Sequence, residues 1–160
     1  IAATRKTAPG LRYFDKKAVL IGGGDSHRLR LDDAYLIKDN HLKIAGGVKE
    51  ALERVRSVAS FYKKIEVEAK TVKQAIEAAK SGADIVMLDN MTLKEARKTM
   101  KTLAHLNLGG RVLIEMSGGV TEEKLLDYAK LKPDVLSLGL LTHSVRAIDI
   151  SLEVAETRVE

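Results

Sequence analysis

The chain has 160 residues, 45% of them hydrophobic, which is enough for one domain with a sizeable core. Lys and Arg exceed Asp and Glu by 27 to 22, a modest surplus that suits anionic small molecules as well as nucleic acid, but aromatics at 4% with no Trp supply few stacking platforms for single strands. Cys is absent, which excludes disulfides, thiolate catalysis and Cys-ligated zinc; no signal-peptide pattern opens the sequence and no apolar run approaches the ~18 residues of a membrane span, so no membrane association is expected and the cytosol is the expected location.

The chain opens on TRKTAPGLR (4–12), which crowds Arg5, Lys6 and Arg12 beside a Pro-Gly turn. This is either a solvated end or one wall of an anion site. Residues 16–31, KKAVLIGGGDSHRLRL, hold an apolar run, three glycines and then polar residues, with His27 and Arg28 directly after the flexible turn. The glycines lack the G-x-G-x-x-G spacing of a dinucleotide site, and no Walker A, nucleophile-elbow or nucleic-acid motif is present. AYLIKDNHL (34–42) reads as a buried strand with a polar end, and residues 47–62 as an amphipathic helix.

From residue 64 onward one grammar repeats. KIEVEAKT (64–71), ADIVMLDNMT (83–92), RVLIEMSGGVT (111–121) and DVLSLGLLTHS (134–144) are β-rich runs ending in polar residues, and helical patterns follow the first three. Strands alternating with such helices read as βα units on a parallel sheet. Thr71 with Gln74 and Thr92 with Glu95 fit capping boxes, Glu122 and Glu123 suit a helix start, and Ser81-Gly82 and Gly109-Gly110 fall where helices should end. The expected fold is α/β: a TIM-like βα barrel, or an open sheet, with parallel strands and outer helices. A closed barrel uses eight strands over about 200 residues or more, and only about six strands are visible, so an incomplete or open barrel is expected.

Polar residues gather at the C-terminal ends of the strands, the rim that carries active sites in βα barrels. The turn Ser117-Gly118-Gly119, before a helix, offers backbone N–H groups to a phosphate, although glycine also serves a plain βα turn; Gly139 on the next strand leaves space for the same phosphate. Glu66, Glu68, Asp89 and Glu115 lie on or at the ends of apolar strands, where a carboxylate needs a cation or a metal. Glu68 and Asp89 come from successive strands and suit Mg²⁺ held with a substrate phosphate, or salt bridges to the protein's own lysines. Glu66 shares a strand face with Glu68, and the alternation does not choose between them. Arg5, Lys6, His27, Arg28 and Lys38 are each ordinary surface cations alone; together, at strand ends and glycine turns, they point to carboxylate or phosphate binding. His41, His105 and His143 have no metal-ligand spacing.

These motifs in this order (TRKTAPGLR, GGGDSHRLRLDD, LIKDNH, IEVEAKT, GADIVMLDN, EMSGGV and LSLGLLTHS with DISL) resemble the quinolinate phosphoribosyltransferase family, over about residues 2–152. The resemblance implies one phosphoribosyltransferase barrel domain over residues 1–160. It implies transfer of a phosphoribosyl group from 5-phosphoribosyl 1-pyrophosphate to quinolinate with Mg²⁺, releasing pyrophosphate and CO₂ and yielding nicotinate mononucleotide for NAD synthesis. It assigns Arg5, Lys6, His27, Arg28 and Lys38 to the substrate anions, Glu68 and Asp89 to the ribose and metal, Lys38 with both carboxylates to catalysis, and Ser117, Gly118, Gly119 and Gly139 to the 5-phosphate. It also implies a homo-oligomer, a dimer or higher. Family members carry a further N-terminal domain that covers a partner's barrel mouth and adds an Arg to its site. The sequence lacks that domain, so a fragment or isolated barrel with an incomplete pocket and weak turnover is expected. A paralogue group associated with molybdenum transport, acting on another anionic substrate, shares much of the pattern, and a non-catalytic barrel fragment is the third reading.

Overall fold

A computed structural model describes residues 1–155. Six strands form one sheet, all neighbours parallel, in the order β1-β6-β5-β4-β3-β2. They are β1 (Ala2–Ala3), β2 (Tyr35–Ile37), β3 (Ile65–Ala69), β4 (Ile85–Asp89), β5 (Leu113–Ser117) and β6 (Val135–Leu138). The helices are α1 (Arg12–Ile21), α2 (Asp39–Ala45), α3 (Val48–Arg56), α4 (Val72–Lys80), α5 (Leu93–His105), α6 (Glu122–Ala129) and the single turn α7 (Leu140–His143). The sheet is an open, curled half-barrel in which β1 and β2 remain edges, as the count of visible strands leads one to expect.

Period-two alternation gives the sheet two unlike faces. Val67, Val86, Leu88, Ile114, Met116 and Leu136 point outward and pack with Leu52, Ala75, Ala78, Ala96 and Leu103 of the helices in one apolar core. The alternate residues point into the curl, and strand register aligns them in rows. Glu68, Met87 and Glu115 form one row; Asp89, Ser117, Ser137 and Ala2 form the next, nearer the C-terminal rim.

Local chemistry fixes the helix starts. Thr92 accepts from the Glu95 N–H at 3.3 Å, and the Glu95 carboxylate accepts from the Thr92 N–H at 3.0 Å, closing the expected capping box of α5. Thr71 accepts from Gln74 N–H at 3.2 Å, while the Gln74 side chain reaches back to the Lys70 N–H. One run that the sequence leaves unassigned is placed, and two features depart from its reading. The apolar run at 18–21 is the end of helix α1. The helix expected over 47–62 ends at Arg56, where Ser57 donates its hydroxyl to Arg54 O, leaving Phe61 and Tyr62 exposed. The last strand stops at Leu138, and the polar end beyond it winds into α7.

The segment after α1 folds back beside β1. Asp25 pairs with Ala2 in an isolated parallel bridge, with N–H···O bonds of 2.9 Å from Ala3 to Asp25 and 2.8 Å from Asp25 to Ile1. This rudiment of a further strand carries His27 and Arg28 toward the inner face. Among the described residues no helix is long and apolar enough to cross a membrane.

Thr92→Ala is expected to lower stability by about 1 kcal/mol. Thr121→Ala, whose side chain makes no cap bond, should lose less. Urea unfolding midpoints of the two variants provide the check.

Candidate active site

The C-terminal mouth of the half-barrel opens into a cavity of about 400 Å³. Arg5 and Lys6 follow β1, Lys38 follows β2, Glu68 lies on β3, Asp89 ends β4, and Ser117, Gly118 and Gly119 end β5 and turn toward α6; all line this cavity together with His27 and Arg28. Six elements distant in sequence therefore bring ten of the eleven expected residues to one place. Gly139 is the eleventh and does not line it. A Cβ at Gly139 meets the His143 ring at 2.6 Å and Thr4 Oγ1 at 3.8 Å, so its bare backbone accommodates His143.

The charges are segregated. Cations stand at the edges of the curl and carboxylates on its middle strands. Among the described residues no carboxylate lies within ion-pair distance of Arg5, Lys6 or Arg28, although Arg28 is half buried. Arg5 Nε donates to Leu29 O at 3.3 Å. Lys38 Nζ is 4.0 Å from Glu68 Oε2. Burial, and then the neighbouring Asp89 charge, raise the Glu68 pKa above the ordinary range. Glu68 and Asp89 thus form an oxygen-only donor pair with more negative charge than Lys38 offsets, and that donor set fits a hard divalent cation.

At the rim Gly118 and Gly119 have φ of 83° and 61°. A Cβ at Gly118 would lie 2.5 Å from the Asn90 side chain, so the left-handed backbone and the close approach both require glycine. Consecutive backbone N–H groups in such a turn form a concave anion site.

Deeper in the curl stand the carboxylates that sequence alternation left open. Glu66 is fully buried and neither of its oxygens has a hydrogen-bond partner. It lines not the mouth but a second cavity toward the lower end of the strands. Glu68 therefore belongs to the mouth and Glu66 to the layer beneath it. Burial, and then the Glu115 charge, push Glu66 up to about 7. Glu115 Oε2 lies 2.9 Å from His27 Nε2. That hydrogen bond raises the His27 pKa, while burial opposes it.

Lys16 went unnoticed in the sequence. It is 3% exposed on α1, and its ammonium donates to Ala3 O at 2.9 Å and to Ser26 O. It pins β1 to the His27 turn. Burial, and then Arg12, bring its pKa down to about 8. Its signal, an amphipathic helix with one lysine on the inner stripe, was hidden because residues 16–21 read as an isolated apolar run.

A parallel half-barrel whose mouth gathers two carboxylates, a glycine turn and, among the described residues, cations without carboxylate partners is the class of protein that fold and site define. The family model described as quinolinate phosphoribosyl transferase, C-terminal domain, matches residues 1–153, and the chain belongs to that family. It is 49% identical over 154 residues to a probable carboxylating nicotinate-nucleotide pyrophosphorylase of Methanothermobacter thermautotrophicus, covering 96% of this chain and 55% of the relative. It is 42% identical to the rat carboxylating nicotinate-nucleotide pyrophosphorylase, with coverage of 96% and 51%. The crystal structure of NadC from Streptococcus pyogenes superposes with a TM-score of 0.87 at 40% identity, over 96% of this chain and 52% of that one. The chain spans about half the length of the curated relatives it matches.

The raised Glu66 pKa has a defined sign in stability. A carboxyl held at about 7 in the folded state and near its ordinary 4.5 when unfolded binds more protons folded across that window. Its contribution is fully present below the lower value and is lost as pH rises through the upper one. The urea midpoint should therefore fall between pH 5 and pH 7.5, and Glu66→Gln should flatten that slope.

Proposed function

We propose that this domain carries the phosphoribosyl-transfer site for quinolinate: the ring nitrogen attacks 5-phosphoribosyl 1-pyrophosphate, pyrophosphate leaves, and loss of CO₂, with a proton from water taken up at the vacated ring carbon, gives nicotinate mononucleotide for NAD synthesis. One observation carries the reading: among the described residues Arg5, Lys6 and Arg28 have no carboxylate partner, and they line the same cavity as Glu68 and Asp89. A ligand with two adjacent carboxylates and a donor with phosphates is the complement of that charge pattern. Family membership and the names of the relatives agree with it.

The chain's residues have distinct work in this reaction. Arg5, Lys6, Arg28 and Lys38 bind the quinolinate carboxylates and orient the ring nitrogen; the guanidinium forks suit planar carboxylates. The amides of Ser117, Gly118 and Gly119 hold the 5-phosphate. Glu68 and Asp89 face the ribose, where pyrophosphate departure leaves oxocarbenium-like charge that fixed carboxylates stabilise. The same pair would hold Mg²⁺, which supplies charge neutralisation for the departing pyrophosphate. The Arg28 and Arg5 charges favour the electron pair left on the ring when CO₂ departs. The apolar residues exposed on α1, among them Tyr13, Phe14 and Ile21, offer surface for the homo-oligomer that the family likeness implies.

Calorimetric titration provides the test, with nicotinate as the control. Quinolinate should bind at least roughly tenfold more tightly than nicotinate, since the second carboxylate answers cations otherwise left unpaired. Arg28→Ala should erase most of that difference. With both substrates and Mg²⁺, Glu68→Gln and Asp89→Asn should each lower turnover by about a hundredfold or more while quinolinate still binds. Equal affinity for the two acids would sink the assignment.

A further inference from the structure

The cations Arg5 and Lys6 stand on a segment with no ladder of its own. Strand β1 ends at Ala3, and among the described residues positions 5–7 make no backbone–backbone hydrogen bond. Two hydroxyls hold the segment instead. Thr4 Oγ1 accepts the Lys6 N–H at 3.1 Å, and Thr142 Oγ1 donates to the Lys6 carbonyl at 2.7 Å across 136 positions of sequence.

Thr142 lies on α7, the single turn that follows β6, and is 1% exposed. It does not line the mouth, whereas Thr4, Arg5 and Lys6 do. Its hydroxyl has one proton and two carbonyls in reach, Lys6 O at 2.7 Å and Gly139 O at 3.3 Å. The Gly139 carbonyl already accepts the N–H groups of Thr142 and His143, each at 3.0 Å, so both its lone pairs are used. The shorter contact takes the hydroxyl proton, and among the described residues nothing else donates to Lys6 O.

We propose that Thr142 is a positioning residue for the transfer reaction: its buried hydroxyl carries the β1–β6 pairing past the end of the ladder and sets Arg5 and Lys6 at the mouth. The ladder itself joins only Ala2 to Ser137 and Ala3 to Leu138. Beyond it the cation wall depends on this clasp and on the Arg5 contact with Leu29 O. A methyl in place of the hydroxyl leaves the Lys6 carbonyl without its donor, so the segment turns that carbonyl toward water and the two side chains move with it. The inference rests on the proposed function, in which Arg5 and Lys6 receive the quinolinate carboxylates.

Three variants test it. Thr142→Val keeps the shape and removes the donor, and Thr142→Ser keeps the donor. Thr99→Val is the control, because Thr99 is equally buried and donates to Glu95 O at 2.9 Å but lies on α5, away from the mouth. In spectra of the free protein, Thr142→Val should shift the Lys6 carbonyl carbon and the Arg5 Nε–H, while the other two variants leave both near their places. Quinolinate affinity, by calorimetry, should fall roughly tenfold or more in Thr142→Val, as displaced binding groups do. Thr142→Ser should restore most of it, and Thr99→Val should cost stability alone. Unmoved Lys6 and Arg5 resonances in Thr142→Val, or an unchanged affinity, overturn the proposal. So does a Thr99→Val protein that loses as much affinity, since general loosening then explains the effect. If Thr142→Val does not fold, the unmutated protein decides: a slowly exchanging Thr142 hydroxyl proton with an Overhauser contact to the Thr7 N–H supports the clasp, and its absence overturns it. If quinolinate binds no form of the protein, the proposed function falls while the Lys6 and Arg5 resonances still decide the role of Thr142.

Discussion

Two carboxylates enclosed on the inner face of a parallel sheet govern much of this molecule. Parallel strands with both faces covered are normally apolar throughout. Here Glu66 and Glu115 are 0% and 1% exposed on β3 and β5. A charge in that position needs a cation or a proton. The chain meets the need with a segment from outside the regular strands: the loop after α1 folds along β1 and lays His27 against Glu115, with Lys16 tying that loop to β1 from behind. The buried acids thus fix where the loop goes, and the loop fixes where Arg28 stands.

Charge order across the sheet then follows from strand order. β1 and β2 stand at opposite ends of the strand order, and each is followed by cations, Arg5 and Lys6 on one side and Lys38 on the other. Between them β3 and β4 end in Glu68 and Asp89, and β5 ends in the glycine turn. A ligand that spans the mouth meets positive charge at its edges and negative charge at its middle. That arrangement suits a small ligand of mixed charge better than a uniformly anionic polymer such as nucleic acid.

The regular half of the fold was open to reading from sequence because each βα unit carries its own local signals. The capping pairs Thr71–Gln74 and Thr92–Glu95 act within one helical turn, and the polar strand ends mark the rim directly. What stayed hidden depends on contacts between distant residues or on single orientations. The His27–Glu115 pair joins positions 88 apart, and nothing local predicts it. The two-residue strand β1 exists only because β6 and Asp25 flank it. Alternation correctly put Glu66 and Glu68 on one face, but their depth in the curl depends on register with β2 and β4, so only the folded sheet separates a mouth residue from a buried one.

Two glycines that look alike in sequence show the same limit from the other side. Gly139 sits on ordinary helical backbone and its bare Cα leaves room for His143. Gly118 combines left-handed backbone with the Asn90 side chain packed where a Cβ would go. Asn90 in turn donates from Nδ2 to Asp89 Oδ1 at 2.9 Å, and its own N–H donates to Ser117 O at 2.9 Å. The missing Cβ just after β5 is therefore what leaves room for Asn90 beside the carboxylate at the end of β4. The glycine turn and the acid are thereby coupled: a side chain at position 118 would press on Asn90, and Asn90 is hydrogen-bonded to Asp89.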